Sequence, residues 1–431
     1  MTHSTKRLLG ATALVMSSAM LAGCAGFGGP SSEEAGPDSI TFTTWASESE
    51  EAAFRALIAE FEAANEGSTV ELNVVPYDQM FSGIDAQLSA GDAPDIFRVD
   101  YGNLGVYSSQ NQLLDLSPYF SDEEAAAFVP AMWEAVSYEG VPYGVPHQTD
   151  VSALLLNVQM LADAGITDIP DTPEEAWTWD EFAEVSEALR ASLPADKYPF
   201  VYNWQLGGTS RWLSWLFQTG GSLVEDDLVT PAIDSPEGAR ALDFTKSFFE
   251  NEWVPPTSSV KSSGYADSVF AEQTAAMAFV GSFLVPDMEY FNEFEWTATF
   301  MPVDERGATD LGGNALVATA ESDSPDLAAE FLKFMVSEDA MASFCEQTNE
   351  LPTLISLADA DLEFVTRPDL MPIFVQQAAA IEPSDVRQLT SPYMAAIAVA
   401  LQDQLELAFV GGQSTEDTLA NISAAIEEVT Q

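Results

Sequence analysis

Sixty residues near the start of the chain alternate strand, helix, strand, helix, strand, and that alternation limits the fold more than any other feature. Residues 40–45 (ITFTTW) are β-branched and aromatic, which predicts a strand. Ser47 and Glu48 suit a helix start, and Phe54, Leu57, Ile58 and Phe61 recur at i, i+3, i+4 and i+7. Val70, Leu72 and Val74 alternate as in a strand; Phe81, Ile84 and Leu88 mark a second helix; Ala93-Pro94 breaks it; and DIFRV, 95–99, is a third strand. This order gives a parallel α/β sheet with right-handed crossovers. Ligands of open sheets of this kind meet the carboxyl ends of the strands, where Trp45, Asp100 and Tyr101 stand.

What precedes the first strand is not core material. Lys6 and Arg7 lead an uncharged apolar run over 8–21, which ends in Leu21-Ala22-Gly23-Cys24. A positive n-region, a short apolar segment and small residues form a secretory signal, and the run is shorter than the roughly 20 residues a membrane-spanning helix needs. The Leu-Ala-Gly-Cys ending resembles the lipobox of bacterial lipoproteins. That resemblance implies cleavage after residue 23, a diacylglyceryl group on the Cys24 thiol and acylation, for example palmitate, of the new amino terminus. Residues 24–39 are rich in Gly, Ser, Pro and acid, and read as a flexible tether of about 20 Å root-mean-square span.

Removing Lys6 and Arg7 from 14 basic residues leaves 12 against 69 acids, a formal charge of −57 after cleavage. Nucleic acid is excluded as a partner of the body, because binding it depends on clustered Lys and Arg. The acidity fits either a saline medium or a general solubilising bias. With 47% apolar residues the chain has ample core, and its length favours two domains. Cys345 is left without a disulfide partner and is expected to be a buried, inert thiol.

Five segments resemble the extracellular solute-binding proteins of ABC importers, in the sugar-binding family that includes maltose-binding protein. In order they are TTWASESEEAAFRALIAEFEAAN, GDAPDIFRVD, YGVPHQTDVSALLLN, DSPEGARALDFTKSFFE and AAMAFVGSF. The resemblance implies a two-lobed periplasmic-binding-protein fold, type II-like, with the ligand in a cleft between α/β lobes. The expected division is 40–148 with 312–366, and 149–311 with 367–431. Crossovers are expected near 147–151, at 312–320 and near 366–369.

No G-x-S-x-G, H-E-x-x-H, P-loop or C-x-x-C motif occurs, and His147 is the only histidine after cleavage. No catalytic residue, metal or cofactor is therefore assigned. The candidate ligand contacts are Trp45, Asp100, Tyr101, His147, Asp150, Trp212, Phe283, Asn314 and Asn349. Trp45 caps the first strand; Trp212 opens the aromatic segment RWLSWLF beside Arg211, where core packing is the alternative. By the resemblance, Phe283 occupies a stacking position and Asp150 an acidic contact past the first crossover, with a hinge role as its alternative. His147 could donate to ligand or to the hinge. Carboxylates take hydroxyl hydrogen bonds well, and aromatic faces suit the C–H side of a pyranose.

The implied function is a monomeric, lipid-anchored binding protein on the extracytoplasmic face of the cell membrane. It would deliver a sugar, a neutral oligosaccharide, to an ABC permease. An exported carbohydrate hydrolase, a non-transporting surface receptor, and a binder of a glycerol phosphate or a cationic osmolyte are the alternatives.

Overall fold

The computed structural model describes residues 39–431 other than positions 206, 292 and 359. The expected signal, Cys24 and all but the last residue of the tether lie outside the described residues. Residue 39 already begins the first strand, β1 (Ser39–Thr44). Ser47 then starts α1 (Glu48–Ala64): its side chain accepts from the Glu50 amide and Glu50 accepts from the Ser47 amide, a reciprocal capping box. The buried stripe Phe54, Leu57, Ile58 and Phe61 covers the sheet as the spacing predicts. β2 (Thr69–Val74), α2 (Tyr77–Ala90) and β3 (Ile96–Asp100) follow. α2 stops two residues before Ala93, at Gly91, whose φ of 69° closes the helix in the left-handed region. α3 (Tyr101–Ser109) begins directly at the end of β3.

A short ribbon of β4 (Ser137–Tyr138) and β5 (Val141–Pro142) leads into β6 (Val145–Gln148). β7 (Ser152–Asn157), β8 (Tyr198–Val201), β9 (Ala275–Gly281), β10 (Trp296–Thr299) and β11 (Asn314–Ala318) complete the strands. One sheet has the order β2-β1-β3-β11-β6 and a second the order β10-β7-β9-β8. β1 pairs in parallel with β2 on one side and β3 on the other, so the chain reverses direction across the sheet at β1. That reversal opens a crevice at the carboxyl ends. β7 and β9 are buried along their whole length, as near-continuous apolar strands covered on both faces are.

Each sheet has its own cores, and residues 39–431 form one compact, two-lobed α/β unit. The chain passes between the sheets from β6 to β7, from β10 to β11, and once more after Leu351. Thr149 and Leu351 exchange two backbone hydrogen bonds of 2.8 Å, so the first and third passages are paired. Leu354 and Leu357 pack with the first sheet and Phe364 with the second, which puts the third passage a few residues before 366–369. Cys345 is a free, buried thiol.

Candidate functional site

Because β1, β2 and β3 are parallel, their carboxyl ends share one edge: Trp45 directly follows β1, Asp100 is the last residue of β3, and Tyr77 opens α2 three residues past β2. β11 runs antiparallel to β3, which brings its first residue, Asn314, opposite Asp100 and Gln148. On the second sheet the corresponding edge carries Ser152, opposite Gly281, with Phe283 two residues further on. The three passages of chain therefore run between two edges rich in aromatic and carboxylate side chains.

On the first edge the Tyr77 hydroxyl donates to Asp100 Oδ2 at 2.8 Å, and Asn103 Nδ2 donates to the same oxygen at 3.3 Å. Asn314 is oriented by its neighbours: its amide nitrogen donates to Asp100 Oδ1 at 2.8 Å, and its oxygen accepts from Arg98 and from Gln148. Burial pushes the Asp100 carboxyl up to about 6, against the pull of the Tyr77 hydrogen bond and of Arg98. Trp45 stands edge-on to Tyr77 and Phe81, with centroids 5.2 and 5.8 Å away. Tyr77 is 48% exposed.

Beneath Trp45 lies Arg98, fully buried, its guanidinium carbon 4.8 Å from the indole centre. It donates to the Trp45 carbonyl and pairs with Glu50 at 2.6 Å and Glu350 at 3.4 Å. Burial opposes ionisation of both acids. Arg98 nevertheless holds Glu50 below the usual carboxylate range, whereas burial, reinforced by Glu50, drives Glu350 well above it. Glu50 is thus the ionised partner. The network fixes the indole from behind.

Toward the second sheet, Asp150 occupies a slot between two glycines. A Cβ on Gly281 would lie 2.9 Å from Asp150 Oδ1 and 2.6 Å from the Phe283 ring, and one on Gly312 would overlap the carboxylate. Phe283, 37% exposed, therefore folds over the strand end beside this acid. Arg211 pairs with Asp150 at 3.2 Å and with Asp310, and also reaches Ser152 Oγ. Burial opposes its charge, but Asp150 more than restores it. Burial and the neighbouring Asp100 raise the Tyr77 hydroxyl, and the Arg211 charge from the second edge acts against them.

Four expected contacts belong elsewhere. Trp212 is fully buried in the second core, and its indole Nε1 donates to Thr245 Oγ1 at 3.0 Å; the apolar face of its segment turns inward. His147 is fully buried, stacked on Phe54 and edge-on to Phe344, and burial together with the Arg98 charge lowers it to about 3. It is a neutral core ring. Tyr101 is buried and donates to the Gln148 carbonyl at 2.8 Å, so it pins the first passage. Asn349 closes the helix Glu338–Thr348 in the left-handed conformation, and its Nδ2 donates to the Thr366 carbonyl.

Tyr77, Phe81, Asp310 and the pairing of Arg211 join the site beyond the residues expected from sequence. Tyr77 opens α2 three residues past the second parallel strand, whereas Trp45 directly follows the first, so the strand-end rule that singles out Trp45 stops at Val75 and misses it. Asp310 lies in a loop with no pattern to betray it. Among the described residues no cluster of His, Cys, Asp and Glu is arranged to hold a metal ion, and no helix is long and apolar enough to cross a membrane.

The diacetylchitobiose binding protein DasA of Streptomyces coelicolor is 22% identical over 365 residues, covering 80% of this chain and 82% of that protein. The cyclic alpha-maltosyl-1,6-maltose binding protein of Arthrobacter globiformis superposes with a TM-score of 0.77 at 21% identity, over 92% of this chain and 99% of that one. UgpB from Mycobacterium tuberculosis, solved in complex with glycerophosphocholine, gives a TM-score of 0.77 at 20% identity, over 92% and 98%. Residues 45–342 match the family described as bacterial extracellular solute-binding protein, and the chain belongs to that family.

Proposed function

We propose that this protein captures a carbohydrate, a neutral oligosaccharide, between its two lobes and delivers it to an ABC permease by closing about the three passages. The observation that carries this reading is the pairing of an acid with an aromatic on each edge: Asp100 with Trp45 and Tyr77, Asp150 with Phe283. Flat apolar faces suit pyranose rings, and the carboxylates accept hydroxyl hydrogen bonds. Arg98 is already engaged by Glu50 and Glu350, and Arg211 by Asp150 and Asp310, which disfavours an anionic ligand. The lobes would comprise 40–148 with 312–366, and 149–311 with 367–431. A tether from lipidated Cys24 would hold the monomer at the extracytoplasmic face.

Calorimetry of the mature protein against maltodextrins, chito-oligosaccharides, glycerol phosphates and betaine tests the ligand class. Binding is expected for an oligosaccharide; tight binding confined to a charged ligand overturns the assignment. Membrane fractionation of a Cys24→Ser precursor tests the anchor, which is wrong if that chain is still processed and membrane-bound.

A further inference from the structure

The two acids that Arg211 binds belong to different passages between the lobes: Asp150 joins β6 to β7, and Asp310 joins β10 to β11. Arg211 itself comes from a third place, the helical turn Gly208–Trp212, which packs on the second sheet's core. One guanidinium therefore holds two hinge segments and a lobe together. The surrounding bonds repeat the link. Asp310 Oδ1 accepts from the Ser152 amide at 3.1 Å, the Gly312 amide donates to the Asp150 carbonyl at 3.0 Å, and Thr149 Oγ1 donates to the Gly312 carbonyl at 3.0 Å. Ser152 Oγ accepts from Arg211 and, at 2.6 Å, from Asn203 Nδ2.

Without Arg211, two nearly buried carboxylates would face each other across the passages with no cation between them. Like charges at short range in a poorly hydrated place repel strongly, and the soft response is to move the passages apart. We infer that Arg211 is a hinge brace, a positioning residue that holds Asp150 and Asp310 side by side and so sets how far apart the lobes stand in the empty protein. Both ends of its guanidinium are engaged in this work, so it is not a receptor for an anionic ligand. The inference rests on the reading of the molecule as a binder that closes about these passages, but it can be tested without a ligand.

The test compares the ligand-free mature protein with Arg211→Ala by small-angle X-ray scattering and amide hydrogen exchange. The brace predicts a larger radius of gyration and faster exchange at Ser152 and Gly312, with protection retained along β9. It also predicts that millimolar methylguanidinium, placed where the side chain was removed, reverses both changes in the variant and does nothing to the parent. If Arg211→Ala does not fold, Arg211→Lys replaces it. One ammonium cannot span both acids with the same fork, so an intermediate opening is expected. Uniform loss of protection through β9 with unchanged dimensions, or failure of methylguanidinium to restore the parent's values, would overturn the inference.

Discussion

Gly312 lies so close to the carboxylate of Asp150 that a Cβ at position 312 would overlap both of its oxygens. Gly281 makes the other wall of the same slot. These glycines are needed for room, and the acid they admit stands where the first and second passages meet.

Gly312→Ala should displace Asp150 and weaken oligosaccharide binding at least about tenfold, since one lost charge-assisted hydrogen bond is worth roughly 1.5–3 kcal/mol. Overpacking should cost about 1–3 kcal/mol of stability. Gly83→Ala, in α2 with open space around the site of the new Cβ, is the control and should leave affinity unchanged. Calorimetry and thermal melting separate the two effects. Unaltered affinity in Gly312→Ala would mean that Asp150 does not touch ligand.

The two tryptophans should separate cleanly. Trp212→Ala removes a fully buried side chain and its bond to Thr245, so about 3–5 kcal/mol of stability should go with it. Trp212→Phe, which keeps most of the volume, should fold and bind as the parent does. Trp45→Ala should cost less stability, chiefly the contact of its ring with Arg98, and should lower affinity sharply. Strong loss of binding in Trp212→Phe with retained stability would return Trp212 to the site.

The contrast shows what the sequence could carry. The opening strand–helix alternation was legible because each element has its own period and Ser47 supplies its own cap. Strand ends follow from the same pattern, so Trp45 and Asp100 were accessible. The direction a side chain takes inside an irregular segment was not. Trp212 sits in a 3₁₀ turn before a helix, where neither period applies, and only the packed core decides that its indole turns toward Thr245. The surroundings of Asn349 and His147 were hidden for a related reason. A left-handed cap and a ring wedged between Phe54 and Phe344 depend on partners distant in the chain. The Arg211 brace joins residues 61 and 99 positions apart, a relation no local reading contains.

Asp100 should make stability and binding pull in opposite directions. Its carboxyl is raised to about 6 from an ordinary value of 3.8. Between those two pH values the folded state keeps a proton that the unfolded state has lost, so this group's contribution to stability falls as pH rises through the window. Asp100→Asn removes that loss. The variant should gain up to about 3 kcal/mol over the parent at pH 7, from about 1.36 kcal/mol per pKa unit, with little difference below pH 4. Its affinity for an oligosaccharide should fall. Equal pH profiles of the two proteins in urea titrations would show that Asp100 titrates normally.

His147 should act with the opposite sign in an overlapping range. Burial, with the charge of Arg98, depresses it to about 3 from 6.5, so the folded state holds the ring neutral while the unfolded state takes up a proton. The stability it leaves in place is complete above pH 6.5 and is lost as pH falls toward 3, about 3 kcal/mol by pH 4. Neither ring nitrogen has a hydrogen-bond partner among the described residues, so a phenyl ring at this position forfeits no hydrogen bond to them. His147→Phe should therefore be close to neutral at pH 8 and distinctly more stable than the parent at pH 4. The parent's own profile hides this, because Asp100 gains over the same interval what His147 loses. Only the single variants expose the two slopes. Denaturant melts of His147→Phe at pH 4, 6 and 8 decide the matter. A pH profile in His147→Phe that coincides with the parent's would mean that His147 reaches a proton in the folded state after all.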